Sequence, residues 1–296
     1  MNKRNFLVRI LPPGAMTAGC ICTLMMMLIF SSAYGQDPDF HIYICFGQSN
    51  MEGSARFETQ DTIALSNRFQ VLQAVECPDI NRTKGEWYKA VPPLTRCNTG
   101  LTPVDYFGRS LVAALPEKIR VGVVVVAVGG CKIELYDKKQ SAAYMATAPD
   151  WMKGIITLYQ GSPYAQLVAL GKTAQQQGVI KGILLHQGES NTGDSTWVKK
   201  VNVVYQNLLQ DLSLKAKDVP LLAGEVVHAE QNGKCASMNG IIDRLPETIS
   251  TAHIISSKGC TVAPDHLHFD AAGYRELGKR YAATMLDLLK EKKGSR

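Results

Sequence analysis

The chain has 296 residues, 46% of them hydrophobic and 20% charged, with a formal charge of +6. Such a length and apolar content suffice for one large core. The modest charge, with no basic block interleaved with aromatics, excludes a nucleic-acid surface as the organising feature.

The first 35 residues read as a leader rather than as part of the fold. Lys3, Arg4 and Arg9 form a basic start, and Ala15–Phe30 is uncharged and mostly apolar. Ala33 and Gly35 supply the small residues of a cleavage site. The apolar stretch is short for a membrane span, which needs about 20 residues. Cleavage before Gln36 and export are therefore expected, with no stable membrane insertion afterwards. Cys20 precedes the Leu24–Phe30 run, which does not suit a lipoprotein signal. Loss of three basic residues with the leader lowers the formal charge to +3. No linker or internal repeat divides residues 36–296, so one domain is expected there.

Five short apolar runs follow: His41–Phe46, Val121–Val128, Ile180–His186, Pro220–Val227 and His253–Ser256. Unbroken apolarity means burial on both faces, as in a parallel sheet covered by helices. Between the first two runs, residues 54–100 show no strong helix or strand. A stretch of that length in a compact domain is expected to be functional or partly structured. Thr102, Pro103 and Asp105 then supply an N-cap, a first-turn proline and a capping box for the stripe Val104, Phe107, Leu111 and Leu115. Ser162-Pro163 opens a second helix, with Gly178 as its stop. Val198, Val201, Tyr205, Leu208 and Leu212 form a third stripe after Asp194. Asp270 caps a fourth helix, whose apolar face is Tyr274, Leu277, Tyr281, Met285 and Leu288. This alternation predicts an α/β fold, a three-layer α/β/α sandwich around a doubly wound, mostly parallel sheet. Such sheets bind ligands at the carboxyl ends of their strands.

Six cysteines lie beyond the leader. An exported chain permits disulfides. Cys77 and Cys97 bracket the featureless segment and are expected either to pair, closing it over the site, or to remain free thiols. Cys235–Cys260 is the second candidate pair. Cys45 and Cys131 read as buried thiols at strand ends.

Polar residues gather past the carboxyl ends of the first three runs and before the last helix. They read G-Q-S-N (Gly47–Asn50), G-G-C-K-I (Gly129–Ile133), H-Q-G-E-S-N (His186–Asn191) and P-D-H-L-H-F-D (Pro264–Asp270). Together they hold what ester hydrolysis needs. Ser49 is a nucleophile if His268 takes its proton, and Asp265 three residues earlier can orient the imidazole. The Ser49 N–H, a Gly130 N–H and the Gln187 amide are candidate donors to an oxyanion. Glu189, able only to accept when ionised, is expected to fix its loop by holding neighbouring donors. A nucleophile elbow of the α/β-hydrolase kind is absent, because Met51 stands where its second glycine belongs. A zinc hydrolase would use Asp265, His266 and His268 with His186 or His228, but it leaves Gly-Gln-Ser-Asn without a role. A non-catalytic sugar-binding module is the third reading. His41 and His253, at strand starts, read as packing or surface residues.

The motifs G-Q-S-N-M-E-G, G-G-C-K-I, H-Q-G-E-S-N and D-H-L-H-F-D-A-A-G-Y-R-E-L-G resemble the SGNH hydrolases. Within these they are similar to the sialate O-acetylesterase-like branch, which includes acetylxylan esterases of carbohydrate esterase family six. The resemblance covers nearly all of residues 36–296. It implies a flavodoxin-like sheet, a Ser–His–Asp site with no metal or other cofactor, and removal of acetyl groups from sugars. Carried over by motif, Ser49 is the nucleophile, His268 the base and Asp265 its orienter. Ser49, Gly130 and Gln187 supply the oxyanion hole, and Gln48, Asn50 and Glu189 support the site. Five positions depart from the family pattern: Asn191, Leu185 and His186, Cys131, and His266. With an acetylated glycan as partner, Trp87 or Tyr88 is expected to offer a sugar-stacking platform at the rim, or else to pack the loop.

Overall fold

The computed structural model describes residues 35–294. The expected leader lies, but for Gly35, outside them. Seven strands form one sheet in the order β3-β2-β4-β1-β5-β6-β7. Their ranges are β1 Asp37–Gly47, β2 Phe69–Leu72, β3 Trp87–Lys89, β4 Arg120–Ala127, β5 Gly178–His186, β6 Leu221–Gly224 and β7 Ala252–Ile255. All neighbours are parallel except β2 and β3. Each of the five expected runs is a strand. Taken alone, they stand in the order second, first, third, fourth, fifth, the flavodoxin-like order with its switch point between β1 and β5.

Side chains alternate across the sheet. Phe40, Ile42, Ile44 and Phe46 of β1 enter one core, and Tyr43 and Cys45 enter the other. Helices Pro163–Gln175 and Trp197–Asp211 cover the first face through Leu167, Leu170, Val201, Tyr205 and Leu208. Helices Pro103–Ala114 and Ala271–Gly294 cover the second through Val104, Phe107, Leu111, Tyr274, Leu277 and Tyr281. The α/β/α sandwich is thus the observed architecture.

The caps read from the sequence are present. Thr102 accepts from the Val104 N–H, and Asp105 accepts from the Thr102 N–H at 3.0 Å. The Ser162 hydroxyl accepts from the Ala165 N–H, and the Asp270 carboxylate accepts from the Gly273 N–H at 2.8 Å. Gly178 does not stop the second helix. It opens β5, where a Cβ would lie 2.5 Å from the Phe40 carbonyl oxygen.

The segment between residues 54 and 100 is partly structured, as expected, though its two strands are not legible in the sequence. It holds β2, parallel to β4, and β3, which closes the sheet edge antiparallel to β2. Cys77 and Cys97 pair, with their Cα atoms 5.3 Å apart. A bridge across a loop of this size restricts the unfolded chain and contributes about 3 kcal/mol. Cys235 and Cys260 do not pair, and Cys45 and Cys131 are buried thiols. Among the described residues no helix is long and apolar enough to cross a membrane.

Candidate active site

The tip of β1 lies against the tip of β5. A Cβ at Gly47 would stand 2.0 Å from the His186 carbonyl oxygen, so only glycine allows this approach. The next N–H, of Gln48, donates to that carbonyl at 3.0 Å. Gln48 is extended, and a single helical turn, Ser49–Glu52, follows it. Met51 and Glu52 donate their N–H groups to the Gln48 carbonyl at 2.9 and 2.8 Å. Among the described residues the Ser49 N–H has no acceptor, as expected at a first helical position.

The loop before the last helix brings the other two groups to Ser49. His268 Nε2 lies 2.9 Å from Ser49 Oγ, and His268 Nδ1 lies 2.6 Å from Asp265 Oδ2. An ionised carboxylate only accepts, so Nδ1 carries the proton and Nε2 offers its lone pair to the serine hydroxyl. Asp265 Oδ1 accepts from the Leu267 and His268 N–H groups at 2.9 and 3.0 Å. Burial pushes the Asp265 carboxyl up. The His268 and Leu267 N–H groups, with the imidazole, outweigh it and bring the carboxyl down to about 2. The arrangement sets Nε2 of the imidazole against a hydroxyl, as proton abstraction requires.

The two amides beside Ser49 have structural tasks. Asn50 is fully buried. Its Nδ2 donates to Glu189 Oε1 at 2.5 Å and to the Leu267 carbonyl at 3.1 Å. Its Oδ1 accepts from the Tyr274 hydroxyl at 2.7 Å and the Phe269 N–H at 3.3 Å. Asn50 therefore clamps the residues on either side of His268. Gln48 Oε1 accepts from Gln187 Nε2 at 3.0 Å and from the Ser190 N–H at 3.2 Å. Glu189 holds the Asn50 amide, and burial raises its carboxyl against the pull of its own loop, Asn50 and His268.

Gln187 is not brought to the site. It is 1% exposed, and its Oε1 accepts from the Trp197 indole N–H, which fixes the orientation of the amide. Its Nε2 then faces Gln48 Oε1, Asn191 Oδ1 at 2.8 Å and the Cys131 carbonyl at 3.3 Å. Three acceptors share two N–H bonds, so no donor remains for an oxyanion. Asn191 Oδ1 also accepts from the Ile133 N–H at 2.9 Å, which ties this loop to the one after β4.

Gly130 does line the open depression of about 500 Å³ that holds Ser49, Ser190 and His268. Among the described residues its N–H has no acceptor. Glu52 sets this turn by accepting the neighbouring Gly129 N–H at 3.0 Å, and it is itself paired with Arg96. The sequence reading missed Glu52 and Arg96, although Glu52 sits inside the first motif. It also missed Tyr274, legible only as a helix-face aromatic.

Trp87 and Tyr88 lie in β3, and the structure does not bring them to the site. Trp87 packs on Phe40, ring centroids 4.9 Å apart, and faces Gly122. Both neighbours belong to the amino-terminal halves of their strands, away from Ser49. The Tyr88 hydroxyl accepts from the Thr83 N–H, and the Arg82 guanidinium covers its ring. The loop is thus packed, and no residue of 77–97 lines the depression at Ser49. The bridge does not close it over the site.

The zinc candidates are scattered. His266 Nδ1 bonds the Gln231 carbonyl at 3.0 Å, and His228 lies 3.4 Å from Glu225. Burial pushes His186 down to about 3. Among the described residues no three potential metal ligands cluster.

In fold the chain is similar to several solved structures. One is a protein from Arabidopsis thaliana, at 21% identity over 85% of this chain and 99% of that one, TM-score 0.63. Another is NanS, at 15% identity over 86% and 99%, TM-score 0.59. A third is a carbohydrate acetylesterase from Xanthomonas citri, at 19% identity over 81% of this chain and 55% of that one, TM-score 0.57. At these identities the likeness speaks for the fold, the same α/β sandwich. The family model described as carbohydrate esterase, sialic acid-specific acetylesterase matches residues 39–287, from the start of β1 into the last helix. With that span matched, the chain belongs to the sialic acid-specific acetylesterase family of carbohydrate esterases, enzymes that hydrolyse carboxylic esters.

Proposed function

We propose that the protein is an exported carbohydrate O-acetylesterase that works through an acetyl-enzyme on Ser49. The observation that carries the reading is the chain Ser49 Oγ, His268, Asp265, with links of 2.9 and 2.6 Å. Ser49 Oγ attacks the acetyl carbonyl while its proton passes to His268 Nε2. Asp265, ionised, holds the resulting imidazolium in place. The oxyanion receives the N–H groups of Ser49 and Gly130. Collapse expels the sugar oxygen, which takes the proton from His268 and leaves acetyl-Ser49. Water, deprotonated by the same nitrogen, then attacks the acyl carbon; the Ser49 Oγ–acyl bond breaks, Oγ takes the proton back from His268, and acetate is released.

Export is supported by the basic and apolar leader pattern and by the Cys77–Cys97 bridge, which suits an oxidising compartment. The family description favours an O-acetylated sialic acid over acetylxylan as substrate. Acetate release from both, alongside Ser49→Ala, tests the reading. The intact protein should release acetate, the sialic acid ester should be the better substrate, and Ser49→Ala should release almost none. Sugar binding without acetate release by the intact protein overturns the proposal in favour of a non-catalytic module.

A further inference from the structure

Four large hydrophobic side chains stand strongly exposed among the described residues, and one of them borders the site. Trp151, in the first turn of the helix Asp150–Leu158, is 58% exposed. A Cβ built on Gly130 would meet its indole Cη2 at 2.9 Å and Cζ2 at 3.6 Å. The six-membered edge of the ring therefore lies against the backbone of Gly130. That backbone lines the same depression as Ser49 and His268 and carries one of its two free donors. An isolated exposed aliphatic residue needs no explanation. An indole is the largest apolar surface a side chain can leave in water, and this one is left beside the groups that bind the ester.

The position is not a by-product of packing. Met152 and Ile156 bury the opposite side of the helix in the core, so Trp151 is not required to anchor it. The helix is also fixed relative to the site. The Tyr144 hydroxyl accepts from the Lys132 N–H at 3.1 Å, two residues beyond Gly130, and contacts Met152 Sδ at 3.5 Å. The helix that carries the indole is thus held beside the Gly130 turn before any ligand arrives, which lowers the ordering cost of binding.

We infer that Trp151 is the platform on which the ring of the sugar ester stacks while its acetyl carbonyl reaches Ser49 and Gly130. The inference rests on the esterase reading above and adds to it the group that selects a ring-bearing alcohol. The apolar C–H face of a pyranose matches an indole in size, and covering it removes apolar surface of both partners from water. A small aliphatic acetate has no ring to place there. Trp151 therefore contributes to KM for sugar esters and little to the chemistry of the acyl group.

The test compares an O-acetylated methyl glycoside with ethyl acetate, using the wild type, Trp151→Ala and Trp151→Phe. Trp151→Ala should raise KM for the glycoside about 10- to 100-fold, leave its kcat within about threefold, and leave ethyl acetate unchanged. Trp151→Phe should recover most of the loss. Equal effects on both esters, or no effect on the glycoside, overturn the inference. A second measurement needs no turnover. The other two tryptophans, Trp87 and Trp197, are packed in the fold, so the glycoside should change the fluorescence of Ser49→Ala through Trp151 and not that of Ser49→Ala/Trp151→Phe. If the wild type cleaves neither ester, the esterase reading fails. A Trp151-dependent fluorescence change then still sustains the platform, and its absence rejects it.

Discussion

Asn50 and Glu189, 139 residues apart in sequence, meet through a buried hydrogen bond of 2.5 Å. The bond joins the residue after Ser49 to the loop at the tip of β5. Through the Leu267 carbonyl and the Phe269 N–H, Asn50 also holds the loop that presents His268. Three segments thus meet at one amide, and that junction holds the loop of His268 while Asp265 and Ser49 hold the imidazole itself.

The coupling of the two residues follows. Asn50→Ala leaves the Glu189 carboxylate and the Tyr274 hydroxyl without their partner, and an unsatisfied buried group costs about 1–3 kcal/mol. Asn50→Ala should therefore lower Tm and also kcat, because the His268 loop loses its tie. Glu189→Gln keeps an oxygen for the Asn50 amide and should lower stability less. In a double-mutant cycle of Asn50→Ala with Glu189→Ala, the coupling should exceed about 0.5 kcal/mol. Additive unfolding energies would show that the bond is not a structural unit.

The serine and histidine should behave as one machine. Ser49→Ala and His268→Ala are each expected to remove most acetate release, and the double variant to be hardly worse than either. Asp265→Asn places an amide where Nδ1–H needs an acceptor, and kcat should fall by roughly 10³–10⁴. Chelators should leave the wild-type rate unchanged. Chelator-sensitive activity that survives Ser49→Ala would reject the serine mechanism.

Gln187 is the residue whose reading changed most. Its amide joins Gln48, Asn191, Cys131 and Trp197 in a buried cluster. Gln187→Ala strands several of these groups and should cost about 1–3 kcal/mol of stability. Any fall in kcat should be partly recovered at low temperature, where the fold is intact. A variant with wild-type Tm and a kcat lowered 10²–10³-fold would restore it as an oxyanion donor.

The contrast shows which parts of this molecule are written locally. The central strands are legible because burial on both faces leaves long apolar runs such as Val121–Val128. β2 and β3 are not, because four- and three-residue strands at a sheet edge carry too little pattern. That Ser49, His268 and Asp265 come together is legible because the proposed chemistry restricts the residue types able to serve it. The donors of Gln187 are taken up partly by Gln48 and Cys131, 139 and 56 residues away in sequence, and the orientation of Trp87 depends on Phe40, 47 residues away. No local motif records such distances. Trp151 sits in a helix whose sequence holds none of the four motifs, so only its contact with Gly130 marks it.

Two aspartates should give opposite responses to pH. Asp105 completes the cap of the helix Pro103–Ala114, accepting the Thr102 N–H at 3.0 Å. Burial pushes its carboxyl up to about 7, against the Thr102 N–H and the nearby Arg109. Between about pH 4, where the unfolded chain releases this proton, and pH 7, the folded state therefore binds more protons. Stability from this group falls as pH rises through that window. Asp265 is the reverse case, held down to about 2 in the fold. Its contribution is complete above about pH 4 and is lost as pH falls toward 2. An asparagine there keeps an oxygen for the Thr102 N–H and carries no charge at any pH, although its amide leaves two buried donors where a protonated carboxyl leaves one. Asp105→Asn should consequently gain Tm relative to wild type on going from pH 4 to pH 8. Asp265→Asn, measured in parallel, should flatten the acid arm between pH 4 and pH 2 and leave the alkaline side alone. Melting curves of all three proteins across pH 2–8 check both signs at once. An Asp105→Asn curve parallel to wild type from pH 4 to pH 8 would mean that Asp105 is already ionised in the fold throughout that range.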